Sequence, residues 1–266
     1  MTSALAVRKV LLRRNLAFLG GLLVIGALTA GSSVLTDFSF RDCLRSFPKA
    51  MQWLAANFIP NARAVRALPN IAMKLAETIL VSVMASVLGA AAALALAILA
   101  SRTTRPHATV TLLVRLIASV CRNIPVVAWA MIFLLSFGQN VLTGLLALFI
   151  GTVGYLTRAY TEVIEETADS SVEALRASGA SWLQIVTQAV FPSIMPQIAS
   201  WMLYMVETNI RDATLVGILT GTGIGFLFDV FYKSMNYPSA ALVVIGVVIV
   251  VIAIETASNA LRRVIL

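Results

Sequence analysis

Charge is absent from this chain over long stretches, and no other feature limits its folding more. Uncharged runs extend from Asn15 to Thr36 (22 residues), Thr78 to Ser101 (24), Asn123 to Thr157 (35), Ala177 to Val206 (30) and Ser234 to Ile254 (21). A helix needs about 20 mostly apolar residues to cross the hydrocarbon core of a bilayer. Of the 266 residues 59% are apolar and 12% charged, against about 25% charged in a typical soluble domain. Mean hydropathy is +0.92. These values exclude an ordinary water-soluble fold, and equally exclude disorder, which goes with low hydrophobicity.

The runs predict an all-α membrane protein with six spans, near 15–35, 76–100, 109–137, 141–159, 194–218 and 238–260. The 35-residue run is too long for one crossing. It breaks at Gly138-Gln139-Asn140, a turn-forming cluster, and so holds two spans. The first span has charge in front of an apolar stretch, as a signal peptide does, but its 22 residues exceed the usual 7–15 residue core. Residues 1–75 read as a tail, first span and outer segment. Residues 76–266 read as a core of five spans with a cytoplasmic loop at 160–192.

Net charge is +8, from 20 Lys+Arg against 12 Asp+Glu. The basic residues fall between apolar runs, with no basic stripe and interleaved aromatics of the kind that binds nucleic acid, so the partner they imply is the lipid bilayer. Positive charge collects in cytoplasmic loops. Arg8, Lys9, Arg13 and Arg14 therefore place the N-terminus inside, and Arg262 and Arg263 do the same for the C-terminus. Segment 36–74 resists this rule, since six Lys/Arg fall on the outside. Phe47, Met51, Leu54 and Phe58 recur there at helical spacing, with Trp53 beside them, consistent with a helix lying in the interface or with an irregular loop. Cys43 and Cys121 form no disulfide framework, and one histidine makes a His-based metal site implausible.

Segment 160–192 is the most acidic part of the chain. Ser170-Ser-Val-Glu173 and Ser181-Trp-Leu-Gln184 both fit capping boxes. Gly179 lies between them, where a C-cap glycine ends a helix. The local reading is two short helices joined by a glycine turn, with Pro192 and Pro196 opening the next span.

Glu173-Ala174-Leu175, Gly179 and Ala189-Val190-Phe191-Pro192 resemble the EAA loop of ABC-importer permeases. Glu173, Ala174, Gly179 and Pro192 match in identity and spacing, whereas Leu175, Ala189 and Phe191 depart from it but stay small or apolar. Arg122-Asn123-Ile124-Pro125 resembles the R-x-I-P segment of the phosphonate-type branch. Glu207-Thr208-Asn209-Ile210-Arg211-Asp212-Ala213-Thr214 resembles its E-x-N-I-R-x-A-T signature, and Gly221-Thr222-Gly223-Ile224-Gly225 its glycine run. The resemblance covers residues 76–263. It implies a type I ABC-importer permease fold, with 170–190 as a coupling helix that docks on a cytoplasmic ATPase dimer. It further implies a second copy of the chain and an outside substrate-binding protein. Phosphonate is the implied cargo, with phosphite or hypophosphite as the same machinery's alternative. Glu173 and Gly179 have plainer roles open to them, as a helix cap and a helix end.

Arginine in a span is costly, roughly 2.5–3.5 kcal/mol at mid-span, and usually faces protein or a wet path. Arg122 lies about 21 Å into its expected span. Pro125, one turn on, is expected to kink that helix and free carbonyls. Arg122, Asn123, Pro125, Glu207, Asn209 and Arg211 are the candidate translocation residues. Glu207 and Arg211 have the spacing of a helical ion pair, which would be purely structural and would leave Arg122 as the anion-facing group. Gly217, Gly221, Gly223 and Gly225 point to a tight hairpin or to small residues for helix packing.

No phosphate-cradling G-x-x-x-x-G-K-[ST] motif occurs, so ATP and Mg belong to a partner ATPase and this chain carries no cofactor, metal or catalytic residue. The sequence contains no internal repeat of the kind expected in an ion-coupled secondary transporter. A membrane enzyme lacks support too, for want of a nucleophile–base pair or paired acids in a plausible site.

Overall fold

The computed structural model describes residues 2–265, and every element among them is helical. The side chains of Arg8 and Lys9, part of the case for an inside N-terminus, lie outside the described residues. The chain divides into two compact units, residues 1–57 and 58–266.

The first unit holds α1 (Thr2–Leu35) and α2 (Phe40–Asn57). Residues Arg13–Leu35 of α1 are long and apolar enough to span a membrane. α2 is amphipathic in the manner of an interfacial helix: Phe40, Leu44, Phe47, Met51 and Leu54 recur every three or four residues, and all are exposed. Segment 36–74 thus contains a helix rather than a featureless loop, although α2 ends before Phe58.

The second unit comprises α3 (Ala62–Val65), α4 (Leu68–Ala100), α5 (Ala108–Asn123), α6 (Val126–Phe137), α7 (Val141–Thr167), α8 (Asp169–Ala177), α9 (Trp182–Gln184), α10 (Phe191–Thr220), α11 (Gly223–Lys233) and α12 (Tyr237–Ile265). Leu68–Ala100, Val141–Thr167, Trp182–Thr220 and Tyr237–Arg263 are each long and apolar enough to cross a bilayer. α4 starts eight residues before the expected 76. Lys74 and Glu77 do not end it, because they pair with each other at 2.6 Å. Ile71 on this extension is buried beside Ile224, Leu227 and Val243, so residues 58–75 belong with the core rather than with the N-terminal unit.

The expected span 109–137 is a broken one. α5 and α6 meet at 92° and count as a sixth span only if taken together. Proline disfavours α-helical backbone in the residue before it, and Ile124 is accordingly extended, with φ −87° and ψ 123°. Pro125 also has no N–H for the Cys121 carbonyl. The Trp129 indole takes that carbonyl instead, at 3.3 Å. Gly151 and Gly154 of α7 make room for the break. A Cβ on Gly151 would lie 2.8 Å from Val126, and one on Gly154 2.6 Å from the Arg122 nitrogen.

The second expected short helix does not stand apart. α9 runs through a π-helical stretch, Ile185–Val190, into α10, giving 39 continuous residues with Pro192 in the first turn of α10. One core packs α4, α7, α8 and α10 around Leu156, Tyr160, Ile164, Val172, Val190 and Ile194.

Candidate functional site

The acidic segment forms a rigid corner. α8 ends in a Schellman motif, in which Ala180 N donates to Leu175 O and Gly179 N to Arg176 O, both at 3.0 Å. Gly179 has φ +81°, the left-handed conformation this motif requires. The Gln184 side chain then accepts from Ser181 N at 2.8 Å, completing the capping box expected there. The other expected box is absent. α8 begins at Asp169, so Ser170 lies inside the first turn and Glu173 caps nothing. Glu173, Ala174 and Gly179 are exposed, while Val172 turns inward, 1% accessible. A solvent-facing short helix is thus anchored along one side only.

Its anchors lie in the loop between α4 and α5, and the sequence does not reveal them. Arg176 donates to the Thr103 carbonyl. The Trp182 indole donates to Thr104 O at 2.8 Å. Glu165 accepts from Arg102 N at 2.8 Å and pairs with Arg115 at 2.9 Å. One carboxylate thereby ties the end of α7 to both the loop and α5.

Arg115 and Arg122, two turns apart on α5, border a cleft of about 330 Å3 against α7. Ser119, Thr157, Arg158, Thr161, Glu162 and Glu165 also line it. Arg158 pairs with Glu162 at 2.8 Å, and Arg115 with Glu165. Arg122 makes no ion pair or side-chain hydrogen bond with any described residue and is exposed to the cleft. Three arginines against two glutamates leave the cleft with one surplus positive charge, and Arg122 carries it. Asn123 donates to Ser119 at 3.1 Å beside it. The i,i+4 spacing of Arg158 and Glu162 was visible in the sequence; their position across from Arg122 was not.

α10 divides the remaining candidates. Glu207 and Arg211 form the expected ion pair at 2.8 Å. Asn209, a candidate for the path, is buried among three helices. It is 1% accessible, and its amide donates to Ser86 of α4 and Thr152 of α7, both at 2.8 Å. Ser82 donates to the Asn209 carbonyl at 3.2 Å. Both amide hydrogens are used in a knot that joins three helices. Gly89 completes this packing, since a Cβ there would lie 2.6 Å from Thr152.

The glycine run makes a hairpin between α10 and α11, and the four glycines split into two jobs. Gly221 (φ +70°) and Gly223 (φ +61°) form the turn. Gly217 and Gly225 let the two backbones touch, because a Cβ on Gly225 would lie 1.9 Å from Thr214 O. α4 holds the start of α11. Glu77 accepts from Gly223 N at 3.1 Å and Thr78 from Ile224 N at 2.8 Å. A carboxylate there complements the positive end of the helix dipole. The sequence showed Glu77 only as the edge of a span.

Residues 93–266, more than half of the chain, match the family described as the binding-protein-dependent transport system inner membrane component. The phosphate-import permease protein PhnE of Mycolicibacterium smegmatis is 31% identical over 197 residues, 74% of this chain and 37% of that protein. The phosphite transport system permease protein PtxC of Stutzerimonas stutzeri is 31% identical over 189 residues, 71% of this chain and 69% of that protein. This chain therefore spans little more than a third of the first relative's length. An amino acid ABC transporter crystallised with histidines has a chain that superposes with a TM-score of 0.64 at 15% identity, covering 75% of this chain and 95% of that one. That likeness concerns the fold alone.

Proposed function

We propose that this chain, which belongs to the family of binding-protein-dependent transport system inner membrane components, is the permease subunit of an ATP-driven importer for a small phosphorus oxyanion, a phosphonate. The observation that carries the reading is Arg122. It is a cation without a counter-ion among the described residues, placed by a helix break at the edge of a polar cleft inside an otherwise apolar bundle. Such a group is expensive in a membrane unless it serves an ion or a wet path. The relatives' names, phosphate import and phosphite transport, agree with the sign and size of the ion.

On this reading two copies of the chain enclose the path, with both termini in the cytoplasm and α2 lying in the outer interface. A binding protein delivers the anion from outside. Two ATPase subunits carry ATP and Mg and grip the exposed face of α8 at Glu173 and Ala174. The Schellman turn at Gly179 passes their movement to α10. Arg176, Trp182 and Glu165 pass it through the α4–α5 loop to Arg115, and so to the helix that bears Arg122. Arg211, neutralised by Glu207, supports the bundle rather than the ion. Phosphite or hypophosphite would use the same parts.

Co-expression of the chain with its ATPase tests this reading. A stable complex whose ATP hydrolysis rises when phosphonate-loaded binding protein is added supports it. A chain that purifies free of any ATPase and takes up the anion on an ion gradient alone sinks it.

A further inference from the structure

A second cavity, of about 240 Å3, lies between α10 and α12. Gln197, Ser200, Trp201 and Tyr204 occupy one face of α10, and Arg262 reaches in from the end of α12. The adjoining face of α10, at Ile194, Ile198 and Met205, is packed in the core, and Trp201 packs against it. Trp201 and Tyr204 meet edge to face, 5.8 Å apart, and wall the cavity.

Its polar groups are unsatisfied in a complementary way. The Nε and Nη2 of Arg262 are shielded and have no hydrogen-bond partner among the described residues, and neither has the Oε1 of Gln197. A polar group buried without a partner is destabilising, and more so when it is charged. The two side chains line one cavity yet do not bond each other. Arginine is a donor only and keeps its charge, whereas the free amide oxygen needs a donor. Water can satisfy the hydrogen bonds but cannot neutralise the guanidinium. An anion lacking O–H groups can neutralise it but leaves Gln197 orphaned.

We infer that this cavity binds a phosphorus oxyanion that also carries a hydroxyl, its anionic oxygens accepting from Arg262 and its O–H donating to Gln197. Two molecules share that chemistry. One is a free hydrogen phosphonate or hydrogen phosphate, which would give the importer of the preceding section an anion site separate from Arg122. The other is the headgroup of phosphatidylglycerol, whose phosphate is anionic and whose glycerol supplies the hydroxyl; basic pockets between membrane helices take such headgroups. The recognition chemistry stands on these residues alone, and only the free-ion source rests on the permease reading.

The test uses the full chain in phosphatidylcholine nanodiscs, titrated with methylphosphonate, and in phosphatidylglycerol nanodiscs, with retained lipid read by native mass spectrometry. Arg262→Gln and Gln197→Leu should each weaken binding at least about tenfold. The double variant should lose little more, because one ligand bridges both groups. A free ion is recognised by pH: binding falls as its remaining P–OH ionises. Phosphatidylglycerol retention has no such dependence. Arg262→Gln should melt no lower than wild type without ligand, since it removes an unsatisfied buried charge; a lower melting temperature with unchanged binding assigns Arg262 a packing role and overturns the site. Wild-type binding by both variants in both nanodiscs overturns it as well. Failure of the permease reading looks different: no ATP-driven uptake by the wild-type complex, whatever these two residues do.

Discussion

Gly225→Ala should damage this protein far more than one methyl group suggests. An alanine Cβ at 225 would sit 1.9 Å from the Thr214 carbonyl oxygen and 2.9 Å from the Ile218 nitrogen. Ordinary contact starts near 3.4 Å, so α10 and α11 would have to part by roughly 1.5 Å. Both atoms belong to the α10 backbone, and neither can swing aside like a side-chain tip. Overpacking costs typically 1–3 kcal/mol and occasionally more; backbone against backbone belongs at the top of that range, about 3 kcal/mol. Parting the hairpin also strains the bond from Ile224 N to Thr78, worth about 1 kcal/mol between membrane helices. The sum is about 4 kcal/mol. At about 2–4 °C per kcal/mol for a chain of this size, the melting temperature of the detergent-solubilised protein should drop by roughly 8–16 °C. Gly26→Ala is the control, because nothing lies within 4 Å of its added Cβ; it should leave stability unchanged or slightly raised. A Gly225→Ala protein that melts within 2 °C of wild type would refute the close helix approach on which this reasoning rests.

Three further outcomes follow from the same geometry. At Gly179 an added Cβ meets open space, so substitutions act through the left-handed backbone alone: Gly179→Asn, a residue that tolerates it, should keep substrate-stimulated ATPase activity, and Gly179→Val should insert normally yet lose it. Asn209→Ala removes two interhelical bonds of about 0.6–1.7 kcal/mol each, so it should lower stability in SDS titration by about 1–3 kcal/mol while phosphonate affinity of the surviving complex stays unchanged. Arg122→Lys keeps charge but loses the planar fork and should retain partial uptake; Arg122→Gln should be much weaker. Both should melt as wild type does, because among the described residues Arg122 holds no ion-pair or hydrogen-bond partner whose loss would unfold the protein.

The long helices were legible because charge is so costly in a bilayer that its absence marks them. Their ends were less so. Lys74 and Glu77 looked like a boundary because a sequence shows two charges and not their mutual neutralisation at 2.6 Å. Pro125 signalled a kink, but whether the chain bends or breaks depended on Ile124 becoming extended and on Gly151 and Gly154, about 26 residues or more away, leaving space. The Gly179 turn was readable because all of its bonds are local. The partners of Asn209 were hidden for the opposite reason. Polarity inside an apolar helix says only that the residue avoids lipid, and its partners Ser86 and Thr152 lie 123 and 57 positions away. The same distance hid the hold of Glu77 on α11, 146 residues on.

The central claim is that ATP hydrolysed on a partner drives a phosphorus oxyanion through this chain. The direct measurement is uptake of labelled methylphosphonate into proteoliposomes that hold the chain with its ATPase, with binding protein outside and ATP inside. The account predicts accumulation that requires internal ATP, persists when ion gradients are collapsed, and falls sharply with Arg122→Gln. Accumulation driven by an ion gradient without ATP, or ATP-driven uptake that ignores the Arg122 charge, would contradict it.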